Sequence, residues 1–272
     1  MTTTPRVLCA VDLTPLSPHA VALASVLARA KAASVTLLFA TDLRDPHPEA
    51  EERLECLAEP LRGAGIAVSI AMEEGEPAPV VLGHAADSAL VVMGTHGGRG
   101  VERMMLGSVA ERVLYRSPCP VATVRQAFQG VIQRIVCGVD LADAAPLEAA
   151  LALARELQAE VVVLHSVAEV PEEGRHGLVP ASYGPVLLAE GREKLDALLS
   201  ALDTTGIRIR EAVAPGRPSR QLIRRAAEES AGLIVVGVHP HLFGGTTHQV
   251  VREAECPVLT VRGASAYEEN SR

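Results

Sequence analysis

Three glycines at a fixed spacing, Gly94, Gly97 and Gly107, are followed at once by Ser108, and they sit between an apolar run at 89–93 and a stretch of helical spacing at 108–116. The chemistry this arrangement suits is anion binding. Glycines without side chains let backbone N–H groups approach a phosphate, and a helix opening at Gly107-Ser108 turns its positive dipole end to the same point. The expected ligand is a polyphosphate of nucleotide type. At average glycine usage such a spacing arises by chance in roughly one chain in a hundred of this length, and its place after a strand and before a helix sharpens the signal. Two commoner phosphate loops do not fit. A Walker loop needs a lysine before the Ser/Thr, and here Ser108 is preceded by Gly107. A dinucleotide fold carries its glycines after the first strand, where Asp12-Leu13-Thr14-Pro15 has none.

The elements that must position this loop occur twice. Arg6-Val7-Leu8-Cys9-Ala10-Val11-Asp12 returns as Arg134-Ile135-Val136-Cys137-Gly138-Val139-Asp140, and Cys119-Pro120-Val121 returns as Cys256-Pro257-Val258. A period of about 130 residues signals duplication of a whole domain rather than a solenoid of short units. Each copy reads strand, helix, strand, helix, strand, helix, strand, loop, helix, strand, with continuous apolar strands and Ala/Leu-rich helical spacing. That pattern predicts parallel sheets covered on both faces. The boundaries expected are 1–126 for the first domain and 131–264 for the second, with a tail at 265–272.

These motifs resemble the universal stress protein family, and the resemblance covers nearly the whole chain as a tandem pair. It implies an α/β fold of two tandem doubly wound parallel five-stranded sheets, with adenine-nucleotide alpha-hydrolase-like, flavodoxin-like layering. It also implies a site for ATP or ADP, with magnesium, at the carboxyl ends of the strands. On that resemblance Asp12 faces the adenine and ribose side, and Ala40 and Met93 line the base pocket. Gly94, Gly97 and Gly107 approach the phosphates, while Ser108, Val109 and Ala110 supply backbone or hydroxyl contacts. Ala110 departs from the Ser/Thr often found there. Read without the resemblance, Asp12 has a structural role open to it, capping the helix that follows Thr14 or bracketing a turn.

The second copy differs at the loop. Counting from its fourth strand and back from Cys256 shows a loop about six residues shorter, with Pro240 replacing a glycine and removing an N–H. The expectation is that a triphosphate cradle is lost there although Asp140 survives. This copy gains about fifteen residues around 171–185, whose Pro, Gly and polar content reads as a surface loop or lid. His239, His241, His248 and Cys256 invite a zinc reading, but the segment lacks a paired Cys-x-x-Cys or His-Glu-x-x-His, so no metal is assigned.

Composition narrows the function. The 272 residues are 48% hydrophobic and carry a net charge of -8, and neither half has the positive excess of a nucleic-acid or anionic-membrane binder. No apolar run approaches the length that spans a bilayer, the start lacks the pattern of a signal peptide, and the five cysteines are odd in number, so a reduced, cytoplasmic protein is expected. No nucleophile-base pair or paired-carboxylate site stands out. The function expected is a stress-response regulator or nucleotide-dependent switch occupied in the first domain, with a protein partner the sequence does not name. Pairing of the two domains through their final strands within one chain is expected, with a homodimer also open. Two alternatives remain: a slow ATP-hydrolysing enzyme of the adenine-nucleotide hydrolase class, and a nucleotide-free scaffold.

Overall fold

A computed structural model describes residues 4–41, 49–95, 106–169, 183–238 and 245–263. The chain forms two compact units, one of residues 1–131 together with Val251–Val261, the other of Ile132–Val250 with residues 262–272. In the first unit β1 (Arg6–Ala10), α1 (Ser17–Ala30), β2 (Ser34–Thr41), α2 (Ala50–Gly63), β3 (Val68–Glu74), α3 (Pro77–Ala85), β4 (Leu90–Gly94), α4 (Ser108–Arg116) and β5 (Val121–Val124) follow in strict alternation. The second repeat supplies β6 (Arg134–Val139), α5 (Ala145–Leu157), β7 (Glu160–Val167), α6 (Tyr183–Ser200), β8 (Ile209–Pro215), α7 (Pro218–Glu228), β9 (Leu233–Val238), α8 (Thr246–Glu253) and β10 (Val258–Arg262).

The central strands read as continuous apolar runs because they are buried on both faces, unlike the partly exposed edge strands β3 and β8. Val7, Leu8 and Cys9 of β1 and Val91 and Val92 of β4 are wholly shielded from water. Helix α1 shows the complementary pattern, burying Ala20, Val21, Leu23, Ala24, Leu27 and Ala28 at helical spacing, with a proline in its first turn where the missing N–H costs nothing. Strand order in the first unit is β3-β2-β1-β4-β5, all parallel. In the second, β6 lies between β9 and β7, with β8 beyond β7, again all parallel. Each strand order reverses beside its first strand, which opens a crevice at the carboxyl ends. At Gly138 of β6 helix α7 packs closely on the strand, since a Cβ there would fall 2.8 Å from Leu222 Cδ1.

Each repeat supplies five strands, but β10 falls in the first unit. It runs antiparallel to β5, pairing Val258 with Thr123 and Thr260 with Val121. Two hydroxyls lock the register, Thr123 Oγ1 donating to Val258 O at 3.3 Å and Thr260 Oγ1 to Val121 O at 3.0 Å. In the second unit Arg210 ties β7 to the end of α7 by pairing with Glu160 and, at 2.5 Å, with Glu229.

The inserted segment is not irregular throughout. Residues 170–182 lie outside the described residues, but Tyr183, Gly184 and Pro185, expected in the loop, form the first turn of α6. A proline early in a helix is tolerated because the first N–H groups have no intrahelical partner. Among the described residues all five cysteines are free thiols, and burial pushes the Cys9 thiol up to about 12, far from reactive. Among the same residues no helix is long and apolar enough to cross a membrane.

Candidate nucleotide site at the strand ends of the first unit

Register places the expected site residues at one end of one sheet. Ala10 pairs with Leu38 of β2 on one side and Met93 of β4 on the other. Asp12 and Ala40 each stand two residues beyond this level, and Gly94 stands one beyond it, so residues far apart in sequence leave the sheet together.

Met93 and Ala110 are buried in one hydrophobic cluster, against which Ala40 and Val109 pack. These four residues, expected to line a base and its neighbouring contacts, therefore share a continuous apolar surface. Asp12 is exposed. Its Oδ1 accepts hydrogen bonds from Thr14 N–H at 3.1 Å, Thr14 Oγ1 at 2.6 Å and Ser17 Oγ at 3.1 Å. One carboxylate oxygen thus brackets the turn with the Thr14 and Ser17 hydroxyls, whereas α1 itself, N-capped at Leu16, has no side-chain cap hydrogen bond, so Asp12 does not cap the helix.

The glycine loop is pinched shut at its base. Thr95 N–H donates to Val124 O at 2.9 Å, and Gly107 N–H donates to Thr95 O at 2.8 Å, so the residues flanking 96–105 meet. Gly97 lies outside the described residues, as do His96, Arg99 and Arg103. Gly107 then caps α4 in extended conformation, φ −64° and ψ 142°, and no side chain caps that helix. The first-turn amides of Ser108, Val109 and Ala110 are left as donors at the positive end of the helix dipole, which is an arrangement suited to an anion.

The second unit repeats part of this scheme with different chemistry. Asp140 Oδ1 accepts from Ala142 N–H at 2.9 Å and Asp143 N–H at 3.2 Å, so the aspartate turn is kept. Thr247 Oγ1 donates to Gly237 O at 2.5 Å and joins the start of α8 to the end of β9 by a side chain. Counting back from Cys256, Thr247 stands where Ala110 does in the first repeat, so the hydroxyl missing from one copy is present in the other. That count was available from the sequence. His239, Pro240 and His241 lie outside the described residues.

The model of the Universal stress protein family matches the chain twice, over residues 3–125 and 132–262. Universal stress protein Rv2005c of Mycobacterium tuberculosis is 26% identical over 199 residues, covering 68% of this chain and 66% of its own length. Universal stress protein MJ0531 of Methanocaldococcus jannaschii is 28% identical over 148 residues, covering 49% of this chain and 84% of its own. The chain thus spans just under two thirds of the length of the mycobacterial relative. The crystal structure of a universal stress protein from Archaeoglobus fulgidus superposes with a TM-score of 0.73 at 20% identity, covering 96% of this chain and 97% of that one, a likeness of fold.

Proposed function

This chain belongs to the universal stress protein family, and from that premise we propose that its first domain binds ATP or a related adenine nucleotide and acts as a nucleotide-dependent switch in a cytoplasmic stress response. Gly94, Gly97, Gly107 and the first-turn amides of Ser108, Val109 and Ala110 receive the phosphates, with magnesium carried by them. Ala40 and Met93 take the base, and Asp12 the ribose side. The observation that carries this reading is the pinched loop, whose Gly107–Thr95 bond sets an uncapped helix end beside the cluster holding Met93 and Ala110. The second repeat, with a shorter loop and Pro240, does not take a triphosphate.

The test is calorimetric titration of the full chain with ATP in magnesium. One site per chain is expected. Two equivalent sites, or none, would sink the assignment.

A further inference from the structure

Helices α1 and α2 of the first unit leave a groove of about 710 Å³ between them, a size within the roughly 300–1,000 Å³ usual for small-molecule sites. Both helices belong to crossovers that step the same way along β1, β2 and β3, so they lie side by side and point in the same direction. The walls are two stripes at four-residue spacing, Pro18, Ala22 and Val26 on α1 and Arg53, Leu57 and Leu61 on α2. The groove follows α1 from Ser17 to Arg29, about 18 Å at 1.5 Å per residue, which suits a linear apolar body. None of the residues expected to hold a nucleotide lines it.

Charge narrows the ligand. Among the described residues lining the groove, Arg29 and Arg53 are the charged ones and none is Asp or Glu, although the chain as a whole carries -8. An acid complements such a lining and a cation does not. The two guanidiniums stand toward opposite ends, and the helix dipole of α1 favours one of them. Arg29 is in the last turn of α1, at the negative end. Arg53 reaches from the start of α2 to the N-terminal side of α1, whose first turn carries no acidic side chain, and hydrogen-bonds Leu13 O. That bond holds the planar fork in place and leaves further N–H groups on it for a carboxylate. Thr14 and Ser17 line the same end but spend their hydroxyl protons on Asp12 Oδ1, so the Arg53 guanidinium is the side-chain donor there.

We propose that the groove between α1 and α2 is a second ligand site that takes a free fatty acid of medium chain length, its carboxylate on Arg53 and its chain lying between Ala22 and Leu57 toward Arg29. The apolar stripes remove the chain from water, and the fixed guanidinium selects an acid over a neutral chain of the same length. This site goes beyond the nucleotide reading and shares no ligand-contacting residue with it.

Cys56 lines the groove and is exposed, whereas Cys9 and Cys137 are buried, so its thiol reports on occupancy. The full-length protein is alkylated with iodoacetamide while decanoic acid is titrated in below its micellar concentration, and the rate at Cys56 is read by peptide mass spectrometry. Decanoate is expected to slow alkylation saturably and acetate, which lacks the chain, to leave it unchanged. Decanol, which lacks the charge, is expected to need about tenfold more, the usual weight of a hydrogen bond to a charged group. Arg53→Gln is expected to weaken decanoate by the same factor. Ala22→Phe, which fills the groove and keeps Arg53, is expected to abolish the protection and serves where the Gln variant fails to fold. No protection by decanoate at millimolar concentration, decanol as potent as decanoate, or undiminished protection in either folded variant would each overturn the proposal. No nucleotide enters these measurements, so the ATP assignment of the first domain stands or falls separately.

Discussion

Leu13 and Leu141 share an unusual backbone state, φ 58° and 68°, each one residue after the aspartate that follows its repeat's first strand. A left-handed residue with a side chain costs roughly 1–2 kcal/mol, and both turns are held by the neighbouring carboxylate. In the first unit Arg53 of α2 adds a hydrogen bond to Leu13 O. The aspartates thus build the turn, and any part Asp12 takes in binding is added to that work.

Asparagine tolerates the left-handed state, so substitution at these two leucines separates strain from burial. Leu141 is half-buried and Leu13 only 5% exposed. Leu141→Asn is expected to be no less stable than the parent, whereas Leu13→Asn should lose about 2 kcal/mol or more, since deleting a buried leucine outweighs the relief of strain. Equilibrium urea unfolding measures both, and equal losses would contradict the account.

Asp12→Ala should weaken ATP by roughly one to two decades, the weight of a hydrogen bond to a charged group at about 1.5–3 kcal/mol. Asp140→Ala should leave ATP affinity unchanged, because the proposed site is in the other repeat. Calorimetry on both variants, with circular dichroism to confirm the fold, decides the matter; matching losses would remove the asymmetry.

Gly107 has ordinary extended dihedrals, so a side chain there carries no backbone strain in the free protein. Gly107→Val should stay folded, at a cost of about 1 kcal/mol for a valine at the N-cap, and lose ATP, since the ligand's approach to the backbone is blocked. A folded Val variant that binds ATP normally would move the phosphates elsewhere.

Hydrogen bonding from Arg210, with further attraction from Arg225 and Arg134, holds the Glu229 carboxyl below its ordinary 4.5. A depressed folded pKa gives stability that is fully present above the ordinary value and is lost as pH falls through the folded one. Arg210→Gln should therefore destabilise at pH 7 and converge on the parent at strongly acidic pH. Arg210 is 48% exposed, so water screens the pair and the increment should stay within about 1 kcal/mol. Thermal melts across pH would refute this if the gap widened on acidification.

Turnover of ATP should fall well below the ordinary enzyme range of about 1–1000 per second. Backbone donors of the loop serve a bound triphosphate in its ground state, and interactions equal in ground and transition states do not raise the rate. A turnover number inside that range, abolished in Ser108→Ala, would favour the ATPase alternative.

The alternation of elements was legible because parallel strands buried on both faces leave continuous apolar runs, as at Val7-Leu8-Cys9, and because the duplication repeats them. Less legible was what depends on side-chain geometry. The role of Asp12 is divided in the sequence, since bracketing a turn and binding a ligand ask for the same residue; the donors Thr14 and Ser17 show the turn. Tyr183-Gly184-Pro185 read as loop by composition, yet position in the first helical turn suits a proline. In the second repeat Thr247, which no phosphate motif requires, joins the start of α8 to the end of β9, a role that lies in side-chain geometry and not in the glycine spacing.

The bond from Thr123 to Val258 joins residues 135 positions apart, and this bears on how the chain is made. At about 5–20 residues per second of synthesis, β5 emerges roughly 7–27 seconds before the strand that covers it. During that interval the nascent first domain presents an apolar, unpaired strand edge, the kind that pairs with neighbouring chains. Polysome crowding and early termination therefore endanger the first repeat through the waiting edge of β5.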